Sequence, residues 1–245
     1  MRRVCTLGWA LMMGSVGCAS IPAQAVRRHL IDAMLPIERA DCVHLAGRIR
    51  DPSGRDIQSF LLLFGTNGRY FYRTGNMIYF SDGKVEGNLD LSTFPHQEFL
   101  KAEDVEPENV AMAVGMTNGP YDIALMRFGV ERWLASLEER ASDGIEFTEA
   151  RVNGGRQTEI ELVGGGFVRT FVFKGSAMVP KSLTVFAEGR SPDQAITFEF
   201  SDLRYPATLP DVVFQPNSNG GTGVGAGVDA DIGQESEALR SDWGR

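Results

Sequence analysis

The second half of the chain alternates between apolar and polar residues with the two-residue period of a β-strand. Within residues 157–163, Ile160 and Leu162 fall on one side, and Glu159 and Glu161 fall on the other. Segments 167–173, 181–187 and 195–201 have similar lengths, and glycine-containing connectors separate all four. Because successive strand side chains point to opposite faces, these segments predict a sheet with one wet face and one packed face.

The first half predicts a second series of strands. Residues 43–49, 57–64, 69–73, 77–81 and 85–91 are rich in apolar and aromatic residues, and turn sequences such as Thr66-Asn67-Gly68 and Asp82-Gly83 separate them. Residues 57–64 are almost continuously apolar, so we expect both faces of that strand to be covered. Short strands at close intervals favour an antiparallel meander over β-α-β units.

Three helices are predicted by helical spacing of apolar residues. Residues 26–40 form the first, and Pro36 predicts a break or kink near its end. A short helix begins near Pro107 and runs through Val110, Met112 and Val114. Residues 121–141 predict the longest helix, with an apolar stripe that includes Met126, Val130 and Trp133.

The N-terminus has the pattern of an export signal. Two arginines precede an apolar stretch at residues 4–13. Two cleavage sites fit: Ser15-Val16-Gly17-Cys18 resembles a bacterial lipobox, with lipidation at Cys18, and Ala23-Gln24-Ala25 suits an ordinary signal peptidase. We therefore divide the chain into a signal peptide (1–25), one domain (26–216) and a Gly-rich acidic tail predicted to be disordered (217–245). The expected location is the periplasm, either free or anchored to a membrane through Cys18.

Composition narrows the classes of partner. Among 245 residues, 24 are basic and 32 are acidic, giving a net charge of −8. An acidic chain without a basic block argues against nucleic acid as a partner. No apolar run is long enough for a multispanning membrane protein. Cys42 is the one cysteine within 26–216, so that domain must depend on its core rather than on an internal disulfide.

Catalytic and metal-binding motifs are absent from the sequence. It contains no G-x-S-x-G, H-E-x-x-H or C-x-x-C, so we predict no catalytic residues, no cofactor, no metal and no enzyme activity. His29, His44 and His96 lack a second ligand at metal spacing and are interpreted as packed or surface residues. Three arginines near one turn (48, 50 and 55) are interpreted as surface charges rather than a phosphate site.

Several strand and turn sequences resemble those of the LolA/LolB lipoprotein-carrier superfamily. Arg69-Tyr70-Phe71-Tyr72 followed by Ser81-Asp82-Gly83-Lys84 resembles a strand pair of that family. The segments 179–183, 198–202, 209–211 and 214–216 resemble its later strand and its closing F-x-F, L-P and F-x-P elements. The resemblance covers roughly residues 26–216. The long charged helix at 121–141 and the acidic tail depart from the family pattern.

The resemblance implies the α+β class, with a curved antiparallel half-barrel sheet of about 8–11 strands and helices covering the concave face. It also implies an apolar cavity for acyl chains in that concavity. The residues expected to line the cavity or its helical lid are Phe60, Leu62, Phe64, Tyr70, Tyr72, Met126, Val130, Trp133, Phe171, Phe198 and Phe200.

The leading functional hypothesis is a non-catalytic extracytoplasmic protein that holds a lipid, or the acyl groups of a lipoprotein, in that cavity. Its partners would be acyl chains, an envelope protein and, if Cys18 is lipidated, the membrane. A structural or protein-interaction module of the cell envelope, with the interior filled by its own side chains, is the alternative. An exported hydrolase is the third hypothesis.

Overall fold

The structure, a computed structural model, describes residues 21–90, 97–101, 107–116, 119–142 and 144–214. These residues form an open, curved sheet of eleven strands with helices on its concave face. The predicted fold class is therefore confirmed. The predicted signal cleavage site at Cys18, as well as His96 and the tail 217–245, lie outside the described residues.

Six strands make up the N-terminal half of the sheet. They are β1 (Val43–Arg50), β2 (Asp56–Phe64), β3 (Tyr70–Thr74), β4 (Met77–Ser81), β5 (Val85–Asp90) and β6 (Gln97–Lys101). Each pairs antiparallel with the next, which confirms the predicted meander. Strand β6 was not predicted from the sequence.

Five strands make up the C-terminal half. They are β7 (Glu146–Val152), β8 (Gln157–Gly164), β9 (Phe167–Lys174), β10 (Val179–Ala187) and β11 (Ile196–Arg204). They also pair antiparallel, and β11 pairs with β1, so the strand order is β6-β5-β4-β3-β2-β1-β11-β10-β9-β8-β7. Four of these strands were predicted, and the edge strand β7 was not.

The described residues include four α-helices, which are α1 (Ala23–Arg39), α2 (Pro107–Met116), α3 (Tyr121–Met126) and α4 (Val130–Arg140). The prediction of one long helix over 121–141 is wrong, because the helix is interrupted between Met126 and Val130. Gly129, at the start of α4, has a φ of 143°, a backbone conformation that L-residues rarely adopt. The longest helix is instead α1, with 17 residues.

Helix α1 also differs from its prediction near Pro36. The helix continues through this proline to Arg39, and the amide of Ala40 still donates to the Pro36 carbonyl. Its buried side chains, Val26, Leu30 and Ile37 among them, follow the predicted helical spacing. None of the described helices is both long and apolar enough to cross a membrane.

The main core lies between the inner face of the sheet and the four helices. Helix α1 contributes Leu30 and Met34, and α2 contributes Val110, each without solvent exposure. On the strands, Leu45 and Leu183 point into the same cluster. Burial of this apolar surface is the main stabilising term, at about 25 cal/mol per Å² removed from water.

A second, smaller core covers the outer face of β2, β3 and β4. Leu63, Phe71 and Phe80 pack there against the C-terminal 3₁₀ turn Asp211–Phe214. Alternate residues of β2 therefore enter different cores, Leu62 the inner one and Leu63 the outer one. This arrangement explains the almost continuous apolar run of residues 57–64, and it confirms that both faces of this strand are covered over its second half.

Candidate functional site

Aromatic residues of the central strands form the floor of the inner face. The ring of Phe60 on β2 meets Phe198 and Phe200 on β11 edge-on, with centroid distances of 6.3 and 6.4 Å. Gly47 on β1, between them in the sheet, makes room for the Phe60 ring, because a Cβ there would lie 2.7 Å from its tip. Edge-to-face contacts of this kind stabilise aromatic clusters beyond simple burial.

Helices α3 and α4 close over this floor, and we call residues 121–140 the lid. Trp133 of α4 meets Phe171 of β9 edge-on at 6.1 Å, and Phe171 stacks with Phe173 at 6.3 Å. Met126 and Val130 of the lid are fully buried, and Trp133 is 2% exposed. The lid is therefore packed closely against the inner face of the sheet.

The structure brings all eleven residues predicted to bind the ligand into one apolar cluster. Ten of them are at most 5% exposed, and Phe200 is half-buried and packs against the others. The ten are Phe60, Leu62, Phe64, Tyr70, Tyr72, Met126, Val130, Trp133, Phe171 and Phe198. Their grouping follows from the fold, whereas their role in ligand binding stays a prediction.

A buried ion pair joins the lid to the sheet. Arg169 on β9 donates from Nε to Oδ2 of Asp122 on α3 at 3.0 Å, and from Nη1 to the carbonyl of Gly164 at 3.0 Å. The other carboxylate oxygen of Asp122 accepts from the indole Nε1 of Trp133 at 3.1 Å. The two charged side chains are only 5% and 6% exposed. We call this contact of Asp122, Trp133 and Arg169 the latch.

The latch was missed at the level of sequence, although a signal for it exists. On β9, Arg169, Phe171 and Phe173 are two residues apart and therefore share the inner face. An arginine in phase with two core aromatics must find a buried anion. The sequence contains that pattern, but it does not say which carboxylate supplies the anion, because Asp122 is 47 residues away.

The break between α3 and α4 is attached to the end of α1. Arg127 donates from Nη1 to the carbonyl of Glu38 at 2.6 Å, and burial lowers the pKa of this guanidinium from its ordinary value. The carboxylate of Glu38 accepts from the backbone amide of Val130 at 2.9 Å, which satisfies a donor at the start of α4. The lid is thus attached at two places. Its α3–α4 break is bound to the end of α1, and the latch binds it to the sheet.

A solvent-open groove of about 880 Å³ lies between the first turns of α1, one side of α4 and the start of β7. Its partly buried residues Ile31, Ile145 and Phe147 also pack against the inner core. Its rim is charged, and Arg27 of α1 contacts Glu138 of α4 at 3.6 Å. None of the eleven predicted residues lines this groove, although its floor is continuous with their cluster.

A polar contact lies at the β3–β5 side of the sheet, away from the latch. The hydroxyl of Tyr70 donates to Oε1 of Glu86 at 2.7 Å. Burial, together with this contact to a carboxylate, raises the pKa of Tyr70 above its ordinary value. This tyrosine is therefore neutral, and it presents an apolar ring to the cluster while its hydroxyl is satisfied at the edge.

Two described histidines and two surface arginines lie close to carboxylates. Nδ1 of His29 lies 2.7 Å from Oε2 of Glu149, and Nδ1 of His44 lies 3.7 Å from Oδ2 of Asp202. Arg48 and Arg50 both bind Asp56, at 2.6 and 2.8 Å, and lower the pKa of that carboxyl. Among the described residues, no group of three His, Cys, Asp or Glu side chains is arranged to hold a metal ion.

Comparison with known proteins finds similarity at the level of structure. No protein-family model and no curated protein matches the sequence. The chain is similar to MucB, with 11% identity, a TM-score of 0.39, and coverage of 81% of this chain and 65% of MucB. It is also similar to a LolA superfamily protein from Nitrosomonas europaea, with 10% identity, a TM-score of 0.34, and coverage of 81% and 99%.

A third similar structure is LprF from Mycobacterium bovis, with 8% identity, a TM-score of 0.39, and coverage of 78% of this chain and 98% of LprF. A LolA superfamily structure is thus among those found, in agreement with the resemblance inferred from sequence motifs. Similarity at this level gives no information about ligands or partners.

Proposed function

We propose that this protein is an extracytoplasmic, non-catalytic binder of acyl chains, belonging to a lipid or to a lipoprotein. The observation that carries the proposal is the composition of the inner face. Aromatic and aliphatic residues form a continuous set there, covered by two short helices, and a buried ion pair joins those helices to the sheet. Such a layer can open without unfolding the sheet, because the strands pair with one another and not with the lid.

Binding of an acyl chain can supply the free energy needed to open the lid. Breaking a buried ion pair costs about 3–5 kcal/mol. Each buried methylene contributes about 0.8 kcal/mol, so roughly six methylenes offset the loss of the latch. An acyl chain on the floor also replaces the apolar contacts that Met126 and Trp133 lose. The groove beside α1 is the proposed mouth, since Ile31, Ile145 and Phe147 extend the apolar surface from the interior to solvent.

A second candidate is a structural or protein-interaction module of the cell envelope. The complete burial of Met126 and Val130 favours it, because these lid side chains already pack into the apolar cluster of the inner face. The two candidates differ in whether the lid opens. Export, an anchor at Cys18 and the absence of enzymatic activity stay predictions in either case.

Quenching of Trp133 by a brominated fatty acid distinguishes the candidates. Bromine quenches indole fluorescence on contact, so 9,10-dibromostearate bound on the floor is expected to quench the emission of Trp133. The chain has 3 tryptophans, and Trp133 is the one in the lid. The matched control is Trp133→Phe, which keeps an apolar ring and leaves the other two tryptophans in place.

We expect saturable quenching in the full chain, loss of most of that quenching in Trp133→Phe, and an adduct of the fatty acid in native mass spectra of both. Quenching that persists unchanged in Trp133→Phe would place the fatty acid elsewhere and contradict the proposal. An absence of both quenching and adduct would favour the filled module, and protein partners would then be the subject to pursue.

A further inference from the structure

Arg169 is a cation among apolar residues of the inner face. Its cross-strand neighbours are Leu162 on β8 and Val185 on β10, and Phe171 follows it on the same face of β9. Its guanidinium lies 5.3 Å from the centre of the Phe167 ring. A hydrophobic core gains nothing from such a charge, since a buried ion pair is on average no more stable than the apolar residues that could replace it.

The anion that neutralises Arg169 belongs to the lid rather than to the sheet. Asp122 lies on α3, a helix of only six residues that ends in a turn at residues 127–128. When the lid opens, the carboxylate of Asp122 leaves with α3, whereas Arg169 remains on β9 among apolar side chains. An open interior therefore presents an unpaired cation, which is costly unless another anion takes the vacated position.

Asp122 does not use the full binding capacity of Arg169. The guanidinium can donate two parallel hydrogen bonds to one carboxylate or phosphate. In the structure, Asp122 accepts from Nε through Oδ2 alone, while Oδ1 accepts from Trp133. A ligand anion that is free to turn can accept both bonds, so it can replace Asp122 with at least equal hydrogen bonding.

We propose that Arg169 is the headgroup site for an anionic amphiphile with a carboxylate or phosphate group, and that Asp122 occupies this site when the lid is closed. This assignment rests on the proposed function. It adds that the ligand is negatively charged and that Arg169 binds its headgroup. The acyl chain lies on the floor beside Phe171 and Phe173, and the headgroup takes the place of Asp122.

Equilibrium dialysis of the full chain with three probes of matched chain length tests this assignment. Sodium oleate carries a carboxylate, oleoyl lysophosphatidic acid carries a phosphate, and oleyl alcohol is neutral. Charged hydrogen bonds differ from neutral ones enough to give about a tenfold preference for the anions over the alcohol. A preference for only one of the two anions identifies which headgroup the site takes.

Two variants change the charge of the latch and keep polar side chains at its positions. Asp122→Asn removes the competing anion, so we expect it to increase the preference for the anionic probes by a further tenfold or so. Asp122→Asn with Arg169→Gln makes both partners neutral, and the preference should fall to within about threefold. Arg190→Gln, in an exposed turn, removes the same charge and serves as the control.

The outcomes separate this proposal from the proposed function. If all three probes bind with equal affinity in the unsubstituted chain and both variants, Arg169 is not a headgroup site, whereas acyl binding stands. If none of the probes binds the unsubstituted chain, the proposed function itself is overturned. An equal loss of preference in Arg190→Gln would show that net charge, rather than Arg169, selects the ligand.

Discussion

Gly47 shows how a single residue sets the shape of the inner face. It lies at a register shift between β1 and β11, and it is flanked in the sheet by Phe60 and Phe200. A Cβ at this position would lie 2.2 Å from the carbonyl oxygen of Glu199 as well as against the Phe60 ring. Glycines in strands often mark such sites of close backbone approach. The aromatic floor therefore depends on a residue without a side chain.

Gly47→Ala is expected to lower the free energy of unfolding by about 1–3 kcal/mol, the usual cost of overpacking. Both the Glu199 carbonyl and the Phe60 ring must move, and the backbone contact cannot be relieved by a rotamer change. Urea unfolding checks this, with Ser59→Ala on the exposed face of β2 as the control. A loss below about 0.5 kcal/mol would mean that the strand pair is more adaptable than its packing indicates.

At the scale of elements, the lid shows why periodicity located the helices and missed their break. The apolar residues of α3 and α4 face the same sheet, so the helical spacing of Met126, Val130 and Trp133 continues across the interruption. The break itself depends on tertiary contacts of Arg127 with α1, and on the positive φ of Gly129. Neither a distant carbonyl nor a backbone angle leaves a periodic pattern in the sequence.

Edge strands were the other elements that sequence patterns did not predict. Strand β7 has a neighbour on one side only, and Glu146, Thr148 and Ala150 are exposed along it. Its inner face carries Phe147 and then Glu149, which pairs with His29 rather than entering the apolar core. An edge strand with one partly buried apolar residue on its inner face gives too weak an alternation for assignment. Its pairing with β8 is what makes it a strand.

Helix α1 begins at Ala23, so the two predicted cleavage sites affect it differently. Cleavage after Ala25 would remove its first turn, including the Pro22 carbonyl that accepts from the amides of Ala25 and Val26 at 2.8 and 3.1 Å. It would also place the ammonium group of a new N-terminus on Val26, where the helix dipole disfavours positive charge. Cleavage before Cys18 leaves the whole helix.

We therefore predict that the mature protein begins at Cys18. A chain of residues 26–245 should unfold with a free energy about 1–2 kcal/mol lower than a chain of residues 18–245, from the lost helix start and the dipole. Urea unfolding of the two chains measures the difference, and the intact mass of the protein from a bacterial envelope gives its N-terminus. Equal stabilities, or a mature mass that begins at Val26, would contradict this prediction.

At the scale of the whole molecule, two antiparallel meanders meet at the pairing of β1 with β11. The resemblance in the sequence was enough to group the eleven apolar residues. Strand alternation places eight of them on the inner face of the sheet, and helical spacing places Met126, Val130 and Trp133 on the side of the helices that packs against it. The resemblance was not enough to show that the lid packs closely against the sheet, or that Asp122 reaches Arg169. Those features depend on contacts between the halves of the chain, which leave no local pattern.

His44 lies at this meeting of the two halves and should make the stability of the whole fold depend on pH. It pairs with Arg204 in the register of β1 and β11, and its side chain is 15% exposed. Burial is the main cause that lowers the pKa of His44 below its ordinary value near 6.5, and nearby Arg204 acts in the same direction, whereas Asp202 opposes them. The imidazole is therefore neutral in the folded protein at pH 7.

Because the folded pKa is the lower one, the unfolded chain takes up the proton first as the pH falls. The free energy of unfolding should be highest above about pH 6.5 and should decline as the pH falls from there through the lowered pKa of the folded protein. His44→Gln should flatten this decline, and His29→Gln, at the β7 edge of the sheet, controls for the loss of an imidazole. Carboxyls such as Asp51 and Asp56, whose pKa values are lowered, titrate below this range.

Urea unfolding at several pH values measures the free energy of unfolding, and an NMR titration of the His44 ring measures its pKa in the folded protein. An unchanged slope in His44→Gln, or a ring that titrates above its ordinary value, would show that the buried imidazole is charged and stabilised by Asp202.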